Sequence, residues 1–391
     1  MTNWEIISTP LINNKPIPLE NAGTIWHGMH GKGSWIYCSF PLSSFLDMHI
    51  NDFSLLILNI INYLHNDISL AKYPYIDTKK AIFISEDTEY KYENMINYAY
   101  LAQKYKIDTT LFCVASLAER HKDITREAAT LSHIEIGSHS YFHKKIVGEN
   151  EETVKKEIVY SKEVLEKISN TKVYGFRPPR EEIDEKMAYW LKKAGYTYVM
   201  EKAKEYLLPK EEIDGLITIP RHGTDDYIYL INLDWNEDKI LNRIIFELNF
   251  LTTLNALYTL STHTHLLNYG KNIKVIEKFF KYVSERKDIK TIKGKDLAKR
   301  AKLFKNIHLS YTKTFNQIFI EIKNGNYEEV KNFTFRLYWH NLKKIGEIKS
   351  EILNIKVEEI QRDNKEKFCD ICVQKLKPNS NLTLILPYNE Q

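Results

Sequence analysis

The chain has 391 residues, more than one domain usually holds, so two or three domains are expected. Hydrophobic residues at 43% and charged residues at 27% describe an ordinary globular protein. Lysine and arginine outnumber the acids by only 55 to 51, and no basic run interleaved with aromatics occurs, which excludes a dedicated nucleic-acid binder.

In residues 1–70, a glycine-punctuated strand is expected at 34–40. It is followed at 52–65 by a helix that is apolar nearly all round and so should be buried. The apolar stretch 53–64 is broken by Asn59 and Asn62 and is too short to span a bilayer, so no integral membrane segment is expected. The first residues, MTNWEIISTP, lack a basic start followed by an apolar core. As it stands the chain reads as cytoplasmic, or extracytoplasmic should a leader precede it. Residues 71–76 read as a linker.

From about Lys79 strands and helices alternate. Strands are expected at 81–85, 109–115, 134–137, 173–179, 196–200, 215–220, 256–263 and 289–292. Helices are expected at 92–106, 151–168, 184–194, 274–285 and from Asp296, with Gly195 as a C-cap. This alternation implies a parallel sheet, and so many units in one domain imply a barrel. Residues 302–391 change character. Six strands separated by Asn-, Gly- and Lys-rich turns (307–315, 317–324, 333–339, 351–360, 369–376 and 382–388) point to a small β-sandwich serving for binding or packing. The expected domains are therefore 1–70, 71–301 and 302–391.

Four cysteines, Cys38, Cys113, Cys369 and Cys372, are too few and scattered for a disulfide framework. Cys369 and Cys372 form a CxxC inside a strand-like run. Residues three apart on a strand point to opposite faces, which argues against a redox or metal role. The 25 tyrosines and six tryptophans suit sugar platforms, but most of them suit cores and sheet faces equally well.

The chemistry centres on His139-Ser140-Tyr141-Phe142-His143. Two imidazoles four residues apart can share a metal ion. Alone the spacing says little, since two solvated histidines on a helix face share it. Gly137 and Ser138 are expected to break the preceding strand, so that the histidines leave it at an exposed edge. In α/β barrels, groups at the C-terminal ends of strands converge on one face. After the successive strands come Glu86-Asp87-Thr88-Glu89, the histidine segment, Arg177-Pro178-Pro179-Arg180, then Arg221, His222, Asp225 and Asp226, then His263 and His265.

This order of an acidic pair, HSxxH, RPP and a late strand ending in His resembles the polysaccharide deacetylase (NodB-homology) family of carbohydrate esterases, over residues 79–301. The resemblance implies a distorted (β/α) barrel and a divalent metal, zinc before others. It also implies hydrolytic removal of acetyl groups from an N-acetylated polysaccharide, a carbon–nitrogen bond hydrolase. His139 and His143 would be metal ligands. The family's usual pair of adjacent acids maps onto Glu86 as base and Asp87 as ligand. The pattern of relatives whose acids are separated by one residue maps onto Asp87 as base and Glu89 as ligand. Arg177 would orient the base and hold it ionised. His263 would be the general acid, with His265 competing for the role. The family follows its prolines with one residue and then glycine. Arg180 and Glu181 stand there instead, so the groove is expected to differ. Two other readings stay open, a catalytically inactive glycan-binding barrel and a small-molecule amide hydrolase on the same fold. The N-terminal piece resembles the C-terminal end of a glutamine-amidotransferase-like domain, without that family's nucleophile turn, so no activity carries over.

Overall fold

The computed structural model describes residues 5–6, 11–12, 15–16, 25–30, 33–38, 57, 60–61, 64, 68–73, 80–202, 208–213, 215–253, 256–339, 342–350, 357–363 and 367–390. Contacts divide the chain into two units. One comprises residues 12–16 and 79–301, the other residues 1–11, 17–78 and 302–391.

The first unit is built on one sheet. Its strands are β1 (Lys80–Thr88), β2 (Thr109–Cys113), β3 (Ile134–Ser138), β4 (Gly175–Phe176), β5 (Tyr198–Lys202), β6 (Lys210–Ile213), β7 (Leu216–Arg221), β8 (Tyr258–His263) and β9 (Ile289–Thr291). The order across the sheet is β6-β7-β5-β4-β3-β2-β1-β8, with β9 also on β1. Pairing is parallel throughout except for β6 on β7. A curled, mostly parallel sheet flanked by helices is the expected distorted barrel.

The two-residue period of β1 sorts its side chains. Ile82 and Ile84 join the apolar cluster formed with the helices. On the inner side, Phe83 meets Phe112 at 6.5 Å, Phe112 meets Tyr198 at 6.4 Å, and Ser85 reaches Met200. Tyr198 fills the space left by two glycines; a Cβ at Gly175 or Gly294 would fall 2.1 Å from its ring or hydroxyl. Its hydroxyl donates to Glu135, which also accepts from Thr110 and the Lys295 N–H.

Several expectations change. The strand at 173–179 shrinks to Gly175–Phe176, because Pro178 and Pro179 have no N–H to give a ladder. Helices Ala115–Arg120, Lys122–Thr130 and Glu237–Thr253 were not legible; the first two are short and the third carries apolar residues on several sides. The helix expected at 151–168 forms, with a π turn at Lys156–Tyr160. Asp184 caps Glu185–Lys193, accepting from the Met187 N–H, and Gly195 takes the left-handed conformation (φ +76°) as its C-cap role requires.

In the second unit, Ile307–Lys313, Gln317–Asn324, Ser380–Glu390 and Leu342–Ile345 form one antiparallel sheet with Lys349–Ser350. Val357–Asp363, Phe368–Leu376 and Val330–Trp339 form another, completed by Ile68–Lys72. Alternate residues Ile318, Ile320 and Ile322 of one sheet and Phe333, Phe335 and Leu337 of the other share a single core. The linker expected at 71–76 is corrected in part. Ala71 and Lys72 belong to a strand in register with Arg336 and Phe335. Such pairing depends on a partner more than 260 residues away. The strand expected at 34–40 is Gly33–Cys38, paired with Ile25–His30. Most of the helix expected to be buried at 52–65 lies outside the described residues. Its Ile61 and Leu64 are exposed, contrary to that expectation. Among the described residues no helix is long and apolar enough to cross a membrane.

The barrel's seam lies between β7 and β8, which share no ladder. There the buried Thr259 hydroxyl donates to the Pro220 carbonyl and accepts from the His222 N–H. Thr259→Val keeps the shape and strands both backbone groups. It should cost about 1–3 kcal/mol in thermal or denaturant unfolding.

Candidate functional site

The strand ends β1, β3, β4, β7 and β8 open on one cleft of about 710 Å³, whose lining includes Asp87, Glu89, His139, His143, Arg177 and His263. Glu89 Oε1 lies 3.2 Å from His139 Nε2 and 2.9 Å from His143 Nε2. These three side chains bring ligand atoms within 4.8 Å of one another. Burial raises the Glu89 pKa, but hydrogen bonds and charge from the two imidazoles outweigh it and hold the carboxyl well below the usual range. His139 Nδ1 meets the Arg177 carbonyl at 2.7 Å, which fixes the ring and turns Nε2 toward Glu89. Two nitrogens and one carboxylate oxygen are the donor set that a catalytic zinc-type ion takes, with a position left open. The residues present fit such an ion.

The histidine segment is held from several sides. The His139 N–H donates to the Cys113 carbonyl. Ser140 and His143 both adopt positive φ (66° and 58°), and the Ser140 hydroxyl accepts from the His143 N–H. The N–H groups of Ala115 and Ser116 take the carbonyls of Ser140 and Tyr141. Glu157, on the π turn, accepts from the N–H groups of Tyr141 and Phe142 at 2.9 and 2.8 Å. The expectation that Gly137 and Ser138 break the strand is therefore corrected. Both belong to β3, and His139 is only 3% exposed rather than at an open edge. Pairing to β2 and β4 carries the strand on through the glycine.

Beside this group, Arg177 Nε donates to Asp87 Oδ2 at 2.5 Å, whereas Asp87 Oδ1 has no hydrogen-bond partner among the described residues. His263 Nδ1 lies 2.5 Å from Asp226 Oδ1, and its Nε2 is 3.7 Å from Asp87 Oδ2. Burial depresses the His263 pKa, but Asp226, by charge and hydrogen bond, together with Asp225 and Asp87, carries it well above the ordinary value. Asp226 also accepts from the N–H groups of His263 and Leu267, so it positions this strand end as well as the ring.

Residues 76–199 match the family model described as polysaccharide deacetylase. This region is similar to that family over a minority of the chain. Over 97 residues the chain is 26% identical to a peptidoglycan-N-acetylglucosamine deacetylase of Bacillus cereus, a stretch covering 25% of this chain and 35% of that relative's length. A solved Mycobacterium smegmatis structure described as a polysaccharide deacetylase superposes with a TM-score of 0.55 at 20% identity. That match covers 62% of this chain and 98% of the other, and supports the shared fold.

Within the barrel the alternatives read from sequence separate by position. Asp87 and Glu89 face the cleft. Glu86, out of phase with them in the two-residue period, is fully buried on the opposite side, near Asn268 and Tyr98. Burial raises its pKa well above the carboxylate range. The arrangement with Glu86 in the site is thereby corrected, because a strand cannot present adjacent residues to one face. His263 lines the cleft. His265 packs edge-on against Tyr90 at 5.4 Å, and burial followed by the nearby His263 lowers its pKa.

Four contributors had been given no role from sequence. Asp226 was visible only as part of a polar strand end. Glu157 carried no signal, because an acid on a charged helix looks solvated. Glu181 and Arg221 form a two-pronged ion pair, both contacts at 2.6 Å, and Glu181 also meets Arg177 Nη1 at 3.1 Å. Burial opposes ionisation of Glu181, but the two arginines pull its pKa down to about 2.

The geometry predicts one divalent ion per chain. Zinc titration calorimetry should show Glu89→Gln and His139→Ala each losing at least tenfold in affinity, with Glu86→Gln close to the parent. Tight binding by Glu89→Gln would remove Glu89 from the ligand set.

Proposed function

We propose that the barrel is a hydrolase that removes the acetyl group from an N-acetylated glycan, with a divalent cation, zinc before others, held by Glu89, His139 and His143. The observation that carries this reading is the meeting of three separate devices in one cleft. These are the Glu89–His139–His143 group, the Asp87–Arg177 pair and the Asp226–His263 pair. The family match and the name of the Bacillus cereus relative support N-acetylglucosamine as the reacting sugar. An inactive glycan-binding barrel would need neither an aspartate held by a buried arginine nor a histidine paired with a buried acid.

An amide is a poor electrophile, and its amine leaves only when protonated. A cation at this site supplies Lewis acidity toward a carbonyl oxygen and lowers the pKa of water. The protein's own residues then handle two protons. Arg177 fixes the Asp87 carboxylate, which accepts a proton from the attacking water. His263, kept protonated by Asp226, gives its proton to the departing sugar nitrogen. The products are acetate and a free amine on the sugar. Tyr227, exposed at the cleft, offers a ring face to a neighbouring sugar.

The test is acetate release from chitotetraose by the zinc-loaded protein. Asp87→Asn and Asp226→Asn should each lower kcat by about 10²–10⁴ with bound zinc retained. The reading fails if the parent releases no acetate from any N-acetylated glycan, or if Asp87→Asn keeps full turnover.

A further inference from the structure

The ionised groups lining the cleft are matched against one another with two exceptions. Asp87 is matched by Arg177, Glu89 by the two imidazoles, and Glu181 by Arg221 and Arg177. Asp225 lies 3.8 Å from His263 Nδ1 and accepts from the Tyr227 N–H. Arg221 is used up, since its third contact is the Gly223 carbonyl at 2.7 Å. Arg180 and Lys202 also line the cleft, and both are exposed. Among the described residues neither has an acidic partner.

These two cations sit on one wall. Lys202 ends β5 in register with Arg221 of β7, and Arg221 clasps Glu181, the residue after Arg180. Arg180 and Glu181 both hold positive φ (65° and 59°), conformations that side-chain-bearing residues rarely adopt. The Glu181–Arg221 fork anchors this turn, so Arg180 is presented on a fixed backbone rather than a loose one. Two cations lining one cleft without acidic partners among the described residues gain nothing from a neutral sugar. An anion pairs with them, and a guanidinium fork fits the paired oxygens of a carboxylate or sulfate.

We infer that the cleft takes an acidic glycan, in which a carboxylate or sulfate borne near the reacting N-acetyl group is received by Arg180 and Lys202. This names the substrate class of the deacetylase reading above and rests on it.

The full chain, zinc-loaded, is titrated by calorimetry with three tetrasaccharides. One alternates N-acetylglucosamine with glucuronic acid, one is 6-O-sulfated N-acetylglucosamine, and the third is neutral chitotetraose. At least one acidic ligand should bind tenfold or more tightly than chitotetraose, with the advantage shrinking as salt rises. The two acidic arms tell carboxylate from sulfate. Arg180→Gly, which suits the positive φ, and Lys202→Ala should each reduce the acidic-to-neutral ratio, and together bring it to within about threefold of unity. Arg180→Lys, which keeps the charge, should retain part of the ratio. Equal affinity for all three ligands, or an undiminished ratio in the double variant, overturns the inference. Acetate release without acidic preference sinks this inference alone. Acidic preference without acetate release from any ligand sinks the deacetylase reading and leaves an anion-binding cleft.

Discussion

A carboxylate taken out of water must be given polar partners, and Glu89 finds two imidazoles. The rest of the cleft follows from that need. His139 can serve because its other ring nitrogen is spent on the Arg177 carbonyl. That carbonyl is in place because the Arg177 N–H is bound to the Ser138 carbonyl, next to His139 itself. The Arg177 side chain in turn reaches Asp87 near the end of β1, two residues before Glu89. Strands β1, β3 and β4 are thus tied into a closed circuit by the groups that do the chemistry.

Acids recur behind these groups as positioning devices. Glu157 holds the histidine loop by its backbone, Asp226 holds both the ring and the N–H of His263, and Glu181 ties Arg177 to Arg221. Each is buried or nearly so, and each is satisfied by several donors, as a buried carboxylate requires. Glu86 is the contrast. It is fully buried, its two oxygens have no hydrogen-bond partner within bonding geometry among the described residues, and burial raises its pKa well above the carboxylate range. Adjacent acids on one strand have opposite environments because the pleat sends them to opposite faces.

Legibility followed the range of the interactions. The strands of the barrel announced themselves through short β-branched and aromatic runs, and the helix at 185–193 through Asp184 and Gly195 at its ends. Helix Glu237–Thr253 escaped because its apolar residues do not keep to a single stripe. The strand Ile68–Lys72 was read as the margin of a linker because its partners lie far along the chain. The histidine segment was found by residue type and spacing. The buried position of His139 was missed, because glycine in a strand ordinarily weakens it and here neighbours on both sides sustain it.

By itself, the amino-acid order determined that strands alternate with helices, that a sheet-rich region follows, and which polar residues stand at the strand ends. Those are local properties, set by period, turn chemistry and residue type. Only the tertiary structure decided that Glu89 rather than Asp87 lies closest to both imidazoles, that Asp226 pairs with His263, and that Arg180 and Lys202 have no acidic partner among the described residues. Each of these depends on which face a side chain takes and on distances between residues remote in sequence, and these exist only once the sheet has curled.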